Sequence, residues 1–366
     1  MDMHAHRRNK LAQHVKQHGL HGMLVTNPVN VSYLTGFTGE ASYLLVGAEQ
    51  DFSLLVSDGR FTTQLQEECP GLELYIRSPN QRITIAAIQV LETTGWKNIG
   101  CEGGHLTLAE FEEFSTILTT AQWKSQIGLV EQMRARKDQT EIAEIKDAIG
   151  MAERALKKFL KSLSGKDSEK QLTDRMEMLL REEGATHSSF PTIVAAGVRA
   201  ALPHAPPTLQ HLAGQELLLV DWGASGTFYK SDLTRTYAIG KPTDQFRKVH
   251  AAVLKAQEQA IAAIKPGVQA QVIDAEARKS LQESGYLQYF NHGTGHGLGI
   301  NVHELPFLRP GQETLLEPGM VITIEPGVYL PEWGGIRIED DVLVTASGAE
   351  VLTHVPKDID SLRISL

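Results

Sequence analysis

The chain has 366 residues, of which 42% are hydrophobic, and this is enough for one large domain or two ordinary ones. Its 35 lysines and arginines and 44 aspartates and glutamates give a formal net charge of −9. That charge argues against nucleic acid or an anionic membrane as the main partner. The two cysteines allow one disulfide but exclude a disulfide scaffold, and we expect free thiols. Because the sequence has neither a signal-peptide core nor a run of about 18 apolar residues, we expect a cytoplasmic protein that does not span a membrane.

Short apolar runs alternate with helical patterns in the first part of the chain. The runs at 22–26, 42–47 and 52–60 predict strands. Residues 10–18 and 83–92 predict helices. Strands that alternate with helices are typical of an α/β layer, so we predict a small α/β domain at the amino terminus.

A long amphipathic helix marks the beginning of a second domain. Within residues 142–163, apolar residues recur at steps of three and four, as they do along one face of a helix. Asp138 followed by Glu141 fits a capping box at the helix start. We place the boundary just before this helix, which gives domains over residues 1–134 and 135–366.

The order of predicted elements repeats within the second domain. The long helix and a second helix at 168–185 are followed by strand-like runs. Two further helices, at 246–264 and 273–284, are again followed by strand-like runs. This order predicts two duplicated halves with a pocket between them.

Four acidic residues lie in or against strand-like apolar runs. Asp221 ends one run and Asp232 precedes another, so two antiparallel strands would place both carboxylates on one face. Taken alone, the two aspartates also fit ordinary turn positions. Glu325 and Glu339 are predicted inside strands, and alternation puts Arg337 on the face of Glu339. A buried acid must be hydrogen-bonded, paired or metal-bound, because a bare buried charge is too costly.

The stretch HGTGHGLGINVHE, residues 292–304, adds three histidines in a glycine-rich segment. Carboxylates with one imidazole are typical ligands of a divalent ion, and four acids are enough to bridge two ions. The glycines would let the backbone pass close to such ions. The pattern therefore predicts a divalent-metal site that has enough carboxylates for two ions.

These residues resemble the metal site of the pita-bread metallopeptidases, in the Xaa-Pro aminopeptidase and prolidase branch. The resemblance rests on spacings of 11, 64, 29 and 14 between Asp221, Asp232, His296, Glu325 and Glu339. The segments that flank these residues also match the family: SFPTIVAAG, ALPHA, SDLTRT, GTGHGLG, EPGMVITIEPGVY and GIRIEDD. A weaker match is found in the first domain, at NVSYLTGFTGE and SDGRF. The resemblance implies an α/β (α+β) chain, with a small creatinase-like α/β domain followed by a pita-bread domain of duplicated halves.

The resemblance also implies how the metals are held. Asp232 and Glu339 would bridge two divalent ions. Asp221 would complete the site of one ion, and His296 with Glu325 would complete the other. Glu325 would also move a proton as a general base.

Further residues would contact the substrate by the same resemblance. His303 corresponds to a family histidine near the scissile bond, and His204 to one that stabilises the tetrahedral intermediate. His292 would line the pocket or orient its loop. Arg337 would be either a partner of a ligand carboxylate or part of an ordinary strand salt bridge.

The implied function is a metal-dependent exopeptidase that acts on proline-containing peptides. Our main prediction is an Xaa-Pro aminopeptidase that accepts tripeptides and longer chains. The alternative is an Xaa-Pro dipeptidase (prolidase), for which Arg199 is the nearest candidate to bind the free carboxylate of a dipeptide. Manganese is the favoured metal because the site is rich in oxygen, with cobalt, iron or zinc as alternatives.

Other relatives of this fold fit less well. Methionine aminopeptidases usually lack an amino-terminal domain of this size, and creatinase lacks the full ligand set that this chain has. A non-catalytic peptide-binding pita-bread module is the remaining alternative. Relatives are commonly dimers or tetramers, so we expect a homodimer or a larger homo-oligomer.

Overall fold

The computed structural model describes residues 3–49 and 52–366. The chain divides into two compact units, Met1–Arg134 and Ala135–Leu366. Within the described ranges, no helix combines the length and the apolar character that crossing a bilayer requires.

The first unit is an α/β layer around a mixed sheet. In chain order its elements are α1 (Met3–Gln17), β1 (Gly22–Val25), α2 (Pro28–Thr35), β2 (Tyr43–Gly47), β3 (Ser53–Asp58), α3 (Thr62–Glu68), β4 (Glu73–Arg77), α4 (Ile83–Thr94), β5 (Asn98–Glu102), α5 (Leu108–Ile117), β6 (Gln122–Gln126) and α6 (Leu129–Ala135). The strands lie in the order β4-β3-β2-β1-β5-β6. The three predicted strands are confirmed, whereas α1 begins seven residues before the predicted helix.

A buried carboxylate fixes the start of α2 in this unit. Glu102, at the end of β5, accepts hydrogen bonds from the backbone N–H groups of Thr26 and Asn27 at 2.6 and 2.7 Å. Its other oxygen accepts one from the side chain of Asn30 at 2.6 Å. Burial raises the pKa of Glu102, although these hydrogen bonds oppose the rise. The donors satisfy the acid locally, so Glu102 has a structural role.

The second unit repeats a pair of helices followed by strands. Its elements are α7 (Gln139–Lys161), α8 (Glu169–Glu182), β7 (His187–Ser188), β8 (Ile193–Ala196), β9 (Leu217–Trp222), β10 (Ala224–Ser225), β11 (Leu233–Ile239), α9 (Asp244–Ala263), α10 (Ala270–Glu283), β12 (Gly295–Gly297), β13 (Glu304–Leu308), β14 (Val321–Ile324), β15 (Gly327–Leu330), β16 (Gly334–Arg337), β17 (Asp340–Val344), β18 (Ala349–Val351) and β19 (Arg363–Ile364).

Each half of this unit supplies one of the larger sheets. Strands β8, β9 and β11 of the first half form one sheet, which the carboxyl-terminal strand β19 joins beside β11, and the second half forms β13-β12-β14-β17-β18. The short strands β7 and β10 pair with each other, as do β15 and β16. Helix α7 packs against α8, and α9 packs against α10. This is the duplicated arrangement that the sequence predicted.

The start of α7 is confirmed at the predicted capping box. Asp138 accepts hydrogen bonds from the N–H groups of Thr140 and Glu141, and Glu141 reaches back to the N–H of Asp138. The apolar face of α7 packs against α8 and the first sheet, with Phe159 and Trp222 fully buried in that core. The predicted apolar face of α7 therefore packs against the sheet whose strands β9 and β11 position Asp221 and Asp232.

Glu325 and Glu339 are not inside strands, and this prediction was wrong. Glu325 follows the end of β14, and the next residue, Pro326, has no N–H to continue a ladder. Glu339 lies between β16 and β17. At both points the chain leaves one sheet and joins another, since β14 pairs with β17 while β15 pairs with β16. Both glutamates therefore lie at breaks between sheets.

Candidate metal centre

Two neighbouring strands of the first half bring Asp221 and Asp232 together. Asp221 is near the end of β9, and Asp232 directly precedes β11. The strands pair antiparallel with Thr234 opposite Asp221. Both carboxylates line one cavity of about 620 Å³ and are buried. The predicted placement on one face is therefore observed.

The second half supplies His296 from the middle of β12, between two glycines. A side chain at Gly295 would collide with the carbonyl oxygen of Thr323, and one at Gly297 with that of Leu305. These glycines let the neighbouring strands approach β12 closely, which differs from the predicted role of letting backbone approach the ions. His296 is buried and lines the same cavity as the two aspartates.

The predicted ligands converge in this cavity. Atoms of Asp232, His296 and Glu339 that could bind a metal all lie within 4.8 Å of one another. The Nε2 atom of His296 lies 3.3 Å from Glu325 Oε1 and 3.7 Å from Asp232 Oδ2. Asp221, the fifth predicted ligand, lines the same cavity. Elements that are far apart in sequence thus form one cluster.

Burial and mutual repulsion dominate the electrostatics of the cluster. Burial raises the pKa of Asp232 well above its usual value, and the charges of Glu339 and Asp221 add to the rise. Burial raises the pKa of Glu339 in the same way, with Glu325 and Asp221 adding to it. Burial opposes ionisation of Glu325 too, but His296 outweighs it and lowers the pKa of Glu325 to about 2. Acids placed this close need positive charge between them.

The donor set fits divalent metal ions. Asp221 Oδ1 is buried and has no hydrogen-bond partner among the residues that the structure describes. A buried acceptor without a partner costs about 1–3 kcal/mol, and a metal ion would remove that cost. Four carboxylates and one imidazole match the preference of hard or borderline cations.

Arg337 binds the second carboxylate oxygen of Asp221, Oδ2. Its Nη2 donates to Asp221 Oδ2 at 2.5 Å, and its Nη1 donates to the hydroxyl of Tyr329 at 2.9 Å. Its Nε donates to the hydroxyl of Thr234 at 3.1 Å. The side chain is 3% exposed, so its donors point to protein groups. This hydrogen bond supports the predicted interaction with a candidate ligand carboxylate, and both that role and substrate contact by Arg337 stay predictions.

His292 also lines the cavity, but both of its ring nitrogens are engaged. Its Nδ1 lies 2.8 Å from the carbonyl oxygen of Gly293, which can only accept. Its Nε2 lies 2.8 Å from the hydroxyl of Tyr329 and therefore accepts. Burial lowers the pKa of His292, which favours this neutral form. The geometry supports the predicted role in orienting the loop.

His204 and His303 lie on the same cavity wall. The ring of His303 meets the ring of His296 edge-on, with centroids 4.3 Å apart. Burial lowers the pKa of His303, and the neighbouring His296 lowers it further. Both histidines are exposed enough to meet a ligand from the cavity. The structure therefore places the five predicted metal ligands, the three predicted histidines beside them and Arg337 around one cavity, but not Arg199.

Several residues around the cluster were missed from the sequence. The hydroxyl of Thr234 donates to Glu339 Oε2 at 2.6 Å, and Asp341 Oδ2 accepts the backbone N–H of Asp232 at 3.1 Å. Alternation along SDLTRT could have shown Thr234 on the face of Asp232. Phe307 and Arg309 also line the cavity, whereas Arg199 is held elsewhere by Glu169.

Comparison with known families agrees with this geometry. Metallopeptidase family M24 matches residues 143–346. The chain belongs to metallopeptidase family M24. The creatinase/prolidase N-terminal domain matches residues 7–136. The predictions of the family, the fold class and a metallopeptidase enzyme are confirmed.

Relatives in this family match over nearly the whole chain. An Xaa-Pro dipeptidase from Pyrococcus horikoshii is 32% identical over 98% of this chain and 100% of the relative. The solved structure of an Xaa-Pro dipeptidase from Bacillus anthracis has a TM-score of 0.92 at 34% identity and covers 99% of this chain and 100% of that one. An X-Pro aminopeptidase from Thermotoga maritima has a TM-score of 0.87 at 32% identity, with coverages of 95% and 98%.

Proposed function

We propose that this M24 enzyme is an Xaa-Pro dipeptidase that uses two divalent metal ions bound in residues 135–366. The observation that carries the proposal is the convergence of four carboxylates and one imidazole on a cavity with an apolar wall. The dipeptidase alternative is better supported than the aminopeptidase that we favoured from the sequence, because dipeptidase relatives match over the full chain.

Five residues would hold the metals: Asp221, Asp232, His296, Glu325 and Glu339. Manganese is the favoured ion because four of the five ligands offer oxygen, and cobalt, zinc or iron would also fit. Bound ions of this kind polarise a carbonyl group and lower the pKa of water to near neutrality. Arg337 and Thr234 hold the ligand carboxylates in position through their hydrogen bonds.

The remaining steps fall to side chains around the cluster. Glu325 lies at the cluster, with Oε1 3.3 Å from His296 Nε2, so its carboxylate would accept a proton from water and pass it to the leaving amine. His204 and His303 would donate N–H hydrogen bonds to the carbonyl oxygen as negative charge develops there. His292 keeps the glycine-rich segment in place by binding Gly293 and Tyr329.

The cavity wall suits proline. Its apolar part is formed by Phe190, Pro191, Ile193, Pro203, Pro207 and Phe307. An Xaa-Pro bond has no N–H, so a site that recognises the pyrrolidine ring needs apolar contact and no hydrogen-bond acceptor. The amino acid before proline would then meet the acidic side of the cavity with its positive amino group.

The setting of the enzyme is also proposed. Cys69 and Cys101 are free and buried, which agrees with a reducing, cytoplasmic location. We further propose a homodimer or larger homo-oligomer, because relatives that the sequence resembles commonly assemble in this way. Light scattering on the purified protein tests the assembly.

The test of function compares Ala-Pro, Ala-Pro-Ala and Ala-Ala with added Mn²⁺, Co²⁺ or Zn²⁺ and with a chelator. We expect metal-dependent cleavage of Ala-Pro, weaker cleavage of Ala-Pro-Ala and little cleavage of Ala-Ala. Preference for Ala-Pro-Ala would instead make the enzyme an aminopeptidase. Equal cleavage of Ala-Ala would contradict the proposed specificity for proline. Full activity in the chelator would contradict the proposed metal requirement.

A further inference from the structure

The loop of residues 197–207 carries His204 along the wall of the cavity. Pro203, His204, Pro206 and Pro207 all line the cavity. The side chain of His204 is exposed, so its position depends on the backbone that carries it. A hydrogen bond from His204 to the carbonyl oxygen of a substrate therefore requires that this loop be held in one place.

A buried carboxylate joins the two residues that flank this loop. Glu169, the first residue of α8, has a side chain that is 0% exposed. Its Oε1 accepts a hydrogen bond from the backbone N–H of Ala196 at 2.9 Å. Its Oε2 accepts one from the N–H of Thr208 at 3.0 Å and one from the hydroxyl of Thr208 at 2.6 Å. Because a buried carboxylate is costly without donors, these bonds oppose movement of either end of the loop.

Arg199 connects the same carboxylate to the part of the loop next to His204. Its Nε donates to both oxygens of Glu169, at 3.1 and 2.8 Å, and its Nη2 donates to the carbonyl oxygen of Pro206 at 2.5 Å. Pro206 is two residues after His204, so the planar guanidinium group crosses from one side of the loop to the other. Arg199 does not line the cavity, so it does not serve as the carboxylate-binding residue considered from the sequence.

The first backbone N–H groups of α8 also bind the far end of the loop. Those of Glu169 and Lys170 donate to the carbonyl oxygens of Gln210 and Thr208, each at 2.9 Å. N–H groups in the first turn of a helix have no partner within the helix, so here they fix the loop to α8. The apolar face of α8 is buried in the core that includes Leu172. The loop is therefore attached to a well-packed helix.

We propose that Glu169 and Arg199 are positioning residues, which hold the 197–207 loop so that the imidazole of His204 can donate a hydrogen bond to the carbonyl oxygen of the substrate. This inference rests on the proposed function. A displacement of about 1 Å at an active site can lower turnover by about 100-fold. The donated hydrogen bond strengthens as charge develops in the transition state. Loss of the positioning should therefore lower kcat and leave KM and bound metal nearly unchanged.

The experiment is a double-mutant cycle between Arg199→Met and His204→Ala, with kcat and KM measured on Ala-Pro with Mn²⁺. Arg199→Met alone should lower kcat by about 10- to 100-fold. In the His204→Ala background it should lower kcat further by less than about twofold, because the group that it positions is already absent. Thr208→Val, which removes the hydroxyl donor to Glu169, should show a smaller loss with the same dependence on His204.

Arg175→Met is the matched control. Arg175 lies on α8, donates to both oxygens of Asp167 and binds the carbonyl oxygen of Ser162. Its side chain is 26% exposed, against 23% for Arg199. The control should leave kcat within about twofold of the parent protein in either background. Metal content and urea unfolding of every variant are measured alongside.

An unchanged kcat in Arg199→Met and Thr208→Val would overturn the proposal, and Thr208→Val decides alone if Arg199→Met does not fold. Equal losses with and without His204 would overturn it too, because Arg199 would then act by another route. If His204→Ala keeps the wild-type kcat, the inference fails while the Xaa-Pro dipeptidase function stands. A wild type that does not cleave Ala-Pro with any of the metals would instead overturn the proposed function, and this inference with it.

Discussion

The hydroxyl of Thr234 donates a hydrogen bond to Glu339 Oε2 over 2.6 Å, while it accepts one from Arg337 Nε at 3.1 Å. Thr234 thereby links Glu339 to Arg337, while its own side chain does not line the cavity. A group that hydrogen-bonds a metal-ligating carboxylate orients that carboxylate, and its loss usually weakens metal binding by about 10- to 100-fold.

We therefore expect Thr234→Val to weaken manganese binding by about 10- to 100-fold while the fold is kept. Titration of the metal-free protein with Mn²⁺ in a calorimeter measures the change in the dissociation constant. The control is Thr173→Val on α8, since the buried hydroxyl of Thr173 has no hydrogen-bond partner among the described residues. Unchanged affinity in Thr234→Val would contradict the positioning role.

A second prediction concerns the acids at the centre of the cluster. Asp232→Asn and Glu339→Gln should each remove nearly all activity, because a ligand that bridges two ions serves both. Turnover and metal content of the purified variants are measured together. If either variant keeps normal metal content and more than about a tenth of wild-type turnover, the two-metal assignment is wrong.

The histidines should separate into two kinds. His296→Ala should lower bound metal, because Nε2 of His296 faces Asp232 and Glu325. His204→Ala and His303→Ala should lower kcat with metal retained, since these side chains line the cavity beside the cluster. Metal analysis of the three variants checks the division, and equal metal loss in all three would refute it.

A buried ion pair next to the site should matter for stability. Lys137 Nζ lies 2.7 Å from Glu304 Oε1, with both side chains less than 5% exposed. Lys137→Met leaves a buried carboxylate without that partner and should cost about 3–5 kcal/mol in the free energy of unfolding. The exposed pair Lys146–Glu350 provides the control, and Lys146→Met should cost less than about 1 kcal/mol. Urea unfolding measures both, and equal effects would contradict the argument.

The thiol of Cys101 should be unreactive in the folded protein. Burial raises its pKa to about 11, and the nearby Glu102 adds to the rise. At about pH 8 only about one thiol in a thousand is then ionised, and the thiolate is the form that reacts. Ellman's reagent should react slowly with native protein and fast with both cysteines in guanidinium chloride. Fast labelling of native Cys101 would show that the site is open.

Sequence patterns were sufficient where local rules decide the structure. The capping box at Asp138 and Glu141 fixed the start of α7, and turn residues bounded the strands of the first unit. Periodicity failed at Glu325 and Glu339, because the chain changes sheets there and no local pattern marks such a change. Arg309 was missed for a related reason: its place depends on the register of β12 against β13, which has an irregularity after His296.

The candidate ligands are divided between the duplicated halves of the second unit. Asp221 and Asp232 come from the first half, and His296, Glu325 and Glu339 from the second. Metal ions that bind this set would tie the halves together, and a ligand that binds only the folded chain stabilises it in proportion to the logarithm of its concentration. Without those ions, the repelling acids would weaken the same junction. Removal of the metal should therefore make the second unit easier for a protease to cleave.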